Sequence, residues 1–286
     1  MKRTLYKDEI GKKEILELYD KKLNELEVDF KSIVVNTKFG KTNVIVCGDV
    51  RNPPLIVIHG SNGCAPIALE TYPGLVNHFQ VFAVDVLAQP NKSAETRLSM
   101  KDNSYGEWTN ELIEQFNLNN VTLVGFSFGG LIILKTLLQD ESKIKKVFLA
   151  APAFVVNGNP LVLLLKVFIP MKMFMRTKKN KYLKSFLNAL FTDKDEFAYK
   201  YLAKVFAYFK MDFTPVPVIS KHEAMNITTP ITLFAAKNDL MFPGEKMINR
   251  ASNIFPSMKQ FVLLKNSKHV QGKEDNAIIE NIIINN

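Results

Sequence analysis

Apolar residues fall along this chain in two recurrent groupings. Nearly unbroken runs at 55–58, 121–124 and 231–236 are bounded by turn formers, the pattern of strands buried on both faces. Further strands are expected at 80–84, 146–150 and 260–264. Residues 32–37 and 42–47 read as two strands joined by Lys38, Phe39, Gly40 and Lys41, a hairpin signal. Between the strands the period changes to that of a helix. Residues 12–27 carry a narrow stripe of Ile15, Leu16, Leu18, Leu23 and Leu26, placing a helix on the outside of the domain. Trp108, Leu112 and Phe116 recur at i, i+4, i+8 within 105–116, and helices are also expected at 67–77, 131–138, 244–254 and 277–284. Residues 91–102 are loop-like.

Strands alternating with helices predict an α/β fold with a mostly parallel central sheet covered on both faces. One block departs from it. From 154 to 215 strand-like runs disappear and helical patterns take over, with Leu183, Phe186, Leu187 and Leu190 on one face and Leu202, Val205, Phe206 and Phe209 on another. The expected organisation is an N-terminal helical extension at 1–29, a core made of 30–153 and 216–286, and an all-helical cap insertion at 154–215.

Composition adds bounds. The chain has 286 residues, 47% hydrophobic and 23% charged, as in an ordinary globular protein with ample core. The longest apolar candidate, 161–175, is interrupted by Lys166, Pro170 and Lys172 and falls short of a membrane span. The first residues are basic with no apolar run behind them, so no secretory signal is expected, and a cytoplasmic location is the economical reading. Cys47 and Cys64 lack metal-ligand spacing and form no disulfide framework. The net charge of +9 owes much to Lys166, Lys172, Arg176, Lys178, Lys179, Lys181 and Lys184. No nucleic-acid module accompanies them, so a nucleic-acid partner is not expected. The block reads as a solvated basic face, or as a cap that makes weak contact with an anionic membrane surface.

The candidate chemistry centres on Gly125, Phe126, Ser127, Phe128 and Gly129, between a buried strand and a buried helix. So tight a turn strains the serine backbone and lifts its hydroxyl above the sheet at a helix N-terminus; a serine that merely caps the helix is the simpler alternative. A serine nucleophile needs a base. Of four histidines, His269 lies in the loop after the last predicted strand, at the sheet edge where Ser127 emerges. His78 and His222 read as surface residues. Asp239, after strand 231–236, is the candidate to orient the imidazole, with a turn or capping role as its alternative; the loop after strand 146–150 has no acid. Two backbone donors would complete an oxyanion hole, the N–H of Phe128 and that of Ser61 in the loop after strand 55–58. His59 is expected to hydrogen-bond within that loop rather than act as a base.

With Ser127, Asp239 and His269 in this order and His59-Gly60 ahead of them, the chain resembles the α/β-hydrolase superfamily from about residue 30 onward. The segment 85–93, the Trp108 helix and 37–46 are similar to bacterial carboxylesterase-type members, although the glycines usual after the aspartate are replaced around Ala88 to Pro90. The resemblance implies a serine hydrolase that cleaves carboxylic esters through an acyl-enzyme on Ser127, with no cofactor and a small-molecule ester as substrate, and the apolar cap run 161–169 suggests that this ester is lipophilic. Thioester hydrolysis, carbon–carbon hydrolysis and perhydrolysis use the same triad, and a non-catalytic small-molecule binder could keep the fold. The apolar run 161–169 would line an acyl pocket or fill the cap's own core.

Overall fold

The computed structural model describes residues 4–286. Its centre is one eight-stranded sheet of β1 (Phe30–Thr37), β2 (Gly40–Cys47), β3 (Pro54–Ile58), β4 (Gln80–Val84), β5 (Val121–Phe126), β6 (Ile144–Ala150), β7 (Ile231–Ala236) and β8 (Met258–Leu264). The spatial order is β1-β2-β4-β3-β5-β6-β7-β8. Only β2 runs against its neighbours; from β4 to β8 every pairing is parallel. Ile58 pairs with both Val84 and Gly125, Phe126 with Ala150, and Ala150 with Phe234. The carboxyl ends of the central strands therefore stand level, and the loops leaving them share one edge.

Helices cover both faces. On one, α3 (Ser104–Gln115), α4 (Phe128–Gln139), α9 (Lys221–Met225) and α10 (Gly244–Ile254) bury Trp108, Ile132 and Met247 against Ile56, Leu123 and Leu233. On the other, α2 (Ala65–Thr71) and α11 (Lys273–Asn285) close over Val57, Val124 and Phe148. The helix expected at 67–77 is broken. Pro73 has no N–H to continue α2, so α2 ends at Thr71 and Pro73–Asn77 forms a 3₁₀ turn.

The block expected to be helical contains α5 (Pro160–Leu163), a π-helical turn (Leu164–Phe168), α6 (Ile169–Thr177), α7 (Asn180–Leu190) and α8 (Glu196–Tyr208). Edge-on rings of Phe174, Phe186 and Phe206, with centroids 6.4 and 5.1 Å apart, form its own small core. The run 161–169 contributes less to that core than its composition suggests. Val167 is buried, whereas Leu161, Leu164, Leu165 and Ile169 face outward.

The N-terminal helix lies on the outside as expected, with Lys13, Glu17 and Lys21 exposed, but its inner face is tightly packed. In α1 (Glu9–Glu25) both Ile15 and Tyr19 are fully buried, and the helix lies along α8. Gly11 makes the approach possible, because a Cβ there would stand 2.2 Å from the Tyr208 ring. Ahead of α1, Lys7 N–H donates to Tyr208 O, Lys210 N–H donates to Leu5 O, and Tyr6 Oη donates to Asn91 O. The extension is thus a brace between cap and core. Ile15→Ala should lower unfolding stability by about 3 kcal/mol, read from urea denaturation; a loss under about 0.5 kcal/mol, the level of a surface site, would mean that α1 contributes little.

Candidate active site

Ser127 occupies the turn between β5 and α4 with φ 53° and ψ −111°, a conformation that costs a non-glycine residue about 1–3 kcal/mol. Its surroundings hold it there. Ser127 N–H donates to Ala150 O at 3.0 Å, and Ser127 O accepts from Gly130 and Ala153 N–H at 2.9 Å each. The flanking glycines are sterically required. A Cβ on Gly129 would lie 2.1 Å from Ile58 O, and one on Gly125 would lie 2.6 Å from Ile133 Cδ1. The capping alternative fails, since the Ser127 side chain makes no cap bond to α4.

That side chain points instead to the loop after β8. Ser127 Oγ lies 2.9 Å from His269 Nε2, and His269 Nδ1 lies 2.8 Å from Asp239 Oδ2. Asp239 follows β7, and its Oδ1 accepts from the N–H groups of Met241 and Phe242 at 2.7 and 3.0 Å. Both of its oxygens are therefore occupied, with Oδ2 aimed at the imidazole. The His269 ring sits between Phe126 and Phe242, with centroids 5.2 and 5.4 Å away. All three residues are nearly buried, a setting that strengthens charge–charge interaction and limits water. His78 and His222 are exposed.

On the other side of Ser127 the loop after β3 comes close. A Cβ on Gly60 would stand 3.3 Å from Ser127 Cβ. Gly63 N–H closes the turn onto Gly60 O, and Asn62, with φ 61°, donates its N–H to Gln89 Oε1 at 2.7 Å. Among the described residues, no acceptor takes the N–H of Ser61 or of Phe128. Gln89 belongs to the loop whose usual glycines are missing. Ala88 adopts φ 57° there, a glycine-like conformation held by its N–H bond to Ala94 O at 2.9 Å.

His59 is placed to shape this loop. Its Nε2 accepts from the backbone N–H of Val86 at 3.0 Å, so the proton of the neutral ring sits on Nδ1, which donates to Gly60 O at 2.7 Å. Burial pushes its pKa down to about 4, and the ring stays neutral at physiological pH. Asp85, at the end of β4, is fully buried as well. Its oxygens accept from Ala65 N–H and from the Asn43 side-chain amide, each at 2.8 Å. Burial outweighs these bonds and pushes its pKa up to about 6. Asp85 thus takes no part with His269 and ties the hairpin to α2.

Sequence reasoning missed how the cap holds the candidate base. Thr192 Oγ1 donates to Val270 O at 2.7 Å and accepts from Lys268 N–H at 2.9 Å, gripping the backbone on both sides of His269. Val270 N–H also donates to Leu190 O, and Lys268 Nζ donates to Asn188 O. A threonine just beyond a helix end carries no signal of such a contact. A small groove of about 80 Å³ opens beside the Ser127 site rather than over it. Ser61 and Phe128 are in its wall; Met100, Tyr105 and Phe209 add apolar surface, and Arg97 and Asp212 add charge.

Comparison with known proteins agrees with this architecture. The family model of the alpha/beta hydrolase fold matches residues 53–198, and the chain belongs to that family. It is 23% identical over 272 residues to a Bacillus subtilis (strain 168) protein named uncharacterized carboxylesterase nap, covering 90% of this chain and 86% of that one. The crystal structure of naproxen esterase (carboxylesterase NP) from Bacillus subtilis aligns with a TM-score of 0.83 at 20% identity, covering 96% of this chain and 97% of the other. Carboxylesterase CesB (YbfK) from the same species gives the same TM-score, identity and coverage.

The two buried titratable groups near the loop act oppositely on stability. His59 falls from 6.5 in the unfolded chain to about 4 in the fold. The unfolded state therefore binds more protons in that window, and stability falls as pH falls through it. Asp85 rises from 3.8 to about 6, so the folded state binds more protons and stability rises as pH falls. His59→Asn removes the first effect and leaves the second. Its melting temperature should drop less than the wild type's between about pH 7 and about pH 5; parallel pH curves would contradict the assignment.

Proposed function

We propose that this protein is a serine hydrolase that cleaves carboxylic esters through an acyl-enzyme on Ser127. The observation that carries the proposal is the unbroken hydrogen-bond relay from Ser127 Oγ through His269 to Asp239, beside two N–H groups that have no acceptor among the described residues. Relatives named as carboxylesterases support the choice of an ester.

In this reading Ser127 Oγ attacks the ester carbonyl carbon while His269 Nε2 accepts the hydroxyl proton. Asp239 keeps the other ring proton on Nδ1 and stabilises the imidazolium as it forms. The carbonyl oxygen, now negative, turns toward the N–H groups of Phe128 and Ser61, which need no reorganisation to receive it. His269 returns the proton to the leaving alcohol, and the tetrahedral intermediate collapses to the acyl-enzyme. Water, deprotonated by the same imidazole, then releases the acid and restores Ser127. The groove offers one arm of the substrate a wall of mixed character, with apolar surface from Met100, Tyr105 and Phe209 and charge at Arg97 and Asp212.

Purified protein should react with a fluorophosphonate probe and hydrolyse aryl esters of short and medium acyl chains. Ser127→Ala should abolish labelling and lower kcat by about 10⁴-fold or more, and Asp239→Asn should lower kcat by about 10⁴-fold with KM little changed. Equal turnover by wild type and Ser127→Ala would end the proposal. A panel matched in acyl group but presenting a thioester, a peracid-forming mixture or a cleavable carbon–carbon bond separates ester hydrolysis from related triad reactions.

A further inference from the structure

The cap carries a face that the hydrolytic site does not use. Along α5, the π-helical turn and α6, the inward side buries Val167, Met171 and Phe174. The outward side presents Leu161, Leu164, Leu165 and Ile169, which are 64, 47, 56 and 42% exposed. Their spacing of i, i+3, i+4 and i+8 places them on one side of the helical run, and Lys172 and Arg176 continue the same line. A contiguous apolar patch of this kind on a globular protein marks an interaction site.

Charge says what the partner is. From Ser142 to Thr192 the chain contains no Asp or Glu. The seven cations from Lys166 to Lys184 are all exposed, and among the described residues none lies within salt-bridge distance of a carboxylate. We propose that this face docks on the surface of an anionic lipid bilayer. Leu161, Leu164, Leu165 and Ile169 enter the boundary between headgroups and acyl chains. The lysines lay their alkyl stems on the same boundary and meet anionic headgroups. A second copy of this chain fits poorly, because a two-fold contact would set the same uncompensated cations against one another.

The docking face adjoins the groove. Phe213, itself 45% exposed, has Lys172 Nζ 5.5 Å from its ring centroid, and its neighbours Asp212 and Thr214 line the groove. A protein docked in this way holds the rim of that groove near the lipid surface. Binding stands apart from the proposed ester chemistry and is read without turnover.

The test is co-sedimentation of the full chain with phosphatidylcholine vesicles, with and without phosphatidylglycerol. Binding is expected on the phosphatidylglycerol vesicles at low ionic strength and should be lost as salt is added. Lys172→Glu with Arg176→Glu should weaken it by about fivefold or more per cation removed, and Leu164→Glu with Leu165→Glu should weaken it to a similar degree. Lys31→Glu with Lys259→Glu changes net charge equally at exposed positions near the amino ends of β1 and β8, away from the cap, and should bind like the wild type. Melting curves and size-exclusion profiles of each variant establish that it is folded. Absence of binding at low salt, equal loss in the Lys31/Lys259 control, or unchanged binding in the leucine pair would each overturn the proposal. So would a wild-type dimer that the leucine pair dissolves, which would assign the face to a second copy.

Discussion

The contact between Gly129 and the end of β3 is the constraint from which the site follows. Ile58 O lies where a Cβ of Gly129 would be, and Gly125 is packed as tightly against Ile133 and Gly129. With no side chain at either position, α4 can start directly behind β5 and press against the neighbouring strand. Ser127 is then left in a conformation that its own side chain disfavours, and three backbone hydrogen bonds hold it there. The same closeness brings the β3 loop beside Ser127, so candidate nucleophile and candidate oxyanion donors are set by one packing contact.

A second layer of support is polar and buried. Asn43 on β2 donates to both Tyr19 of α1 and Asp85 just after β4, while Ser93 donates to Asp85 O and accepts from Asn43 N–H. Asn91 accepts from Tyr6 and Ser93 and donates to Val86 O, beside His59. Such a network is expensive to leave half-made. Its members come from the N-terminal extension, the hairpin, the β4 loop and the β3 loop, so those four pieces are fixed relative to one another. Asp85 shows the balance of forces. Four hydrogen bonds favour its ionised form, yet burial still raises its pKa.

The cap contributes in two directions. Its inner end grips the His269 loop through Thr192 and is itself braced by α1. Its outer side is apolar and basic, with no carboxylate within salt-bridge distance of its seven cations among the described residues. A helix run that buries only one side must present the other to something, and here the π-helical turn falls within the exposed apolar stretch.

The parallel sheet, the hairpin and the helix-rich block were legible because each depends on local periodicity. A sheet covered on both faces needs strands that are apolar on both sides, and the run at 55–58 meets that need. Ser127, Asp239 and His269 were legible for a related reason. In a parallel sheet every strand ends at the same edge, so residues just after strands β5, β7 and β8 must gather there whatever their distance in sequence. Other features were decided by tertiary contact alone. The docking of α1 turns on Gly11 meeting Tyr208, and the proton on His59 Nδ1 turns on Val86 N–H. The grip of Thr192 on Lys268 and Val270 and the outward turn of Leu161, Leu164 and Leu165 likewise leave no local pattern. Periodicity states that a helix has an apolar face. Only the packed molecule decides what that face meets.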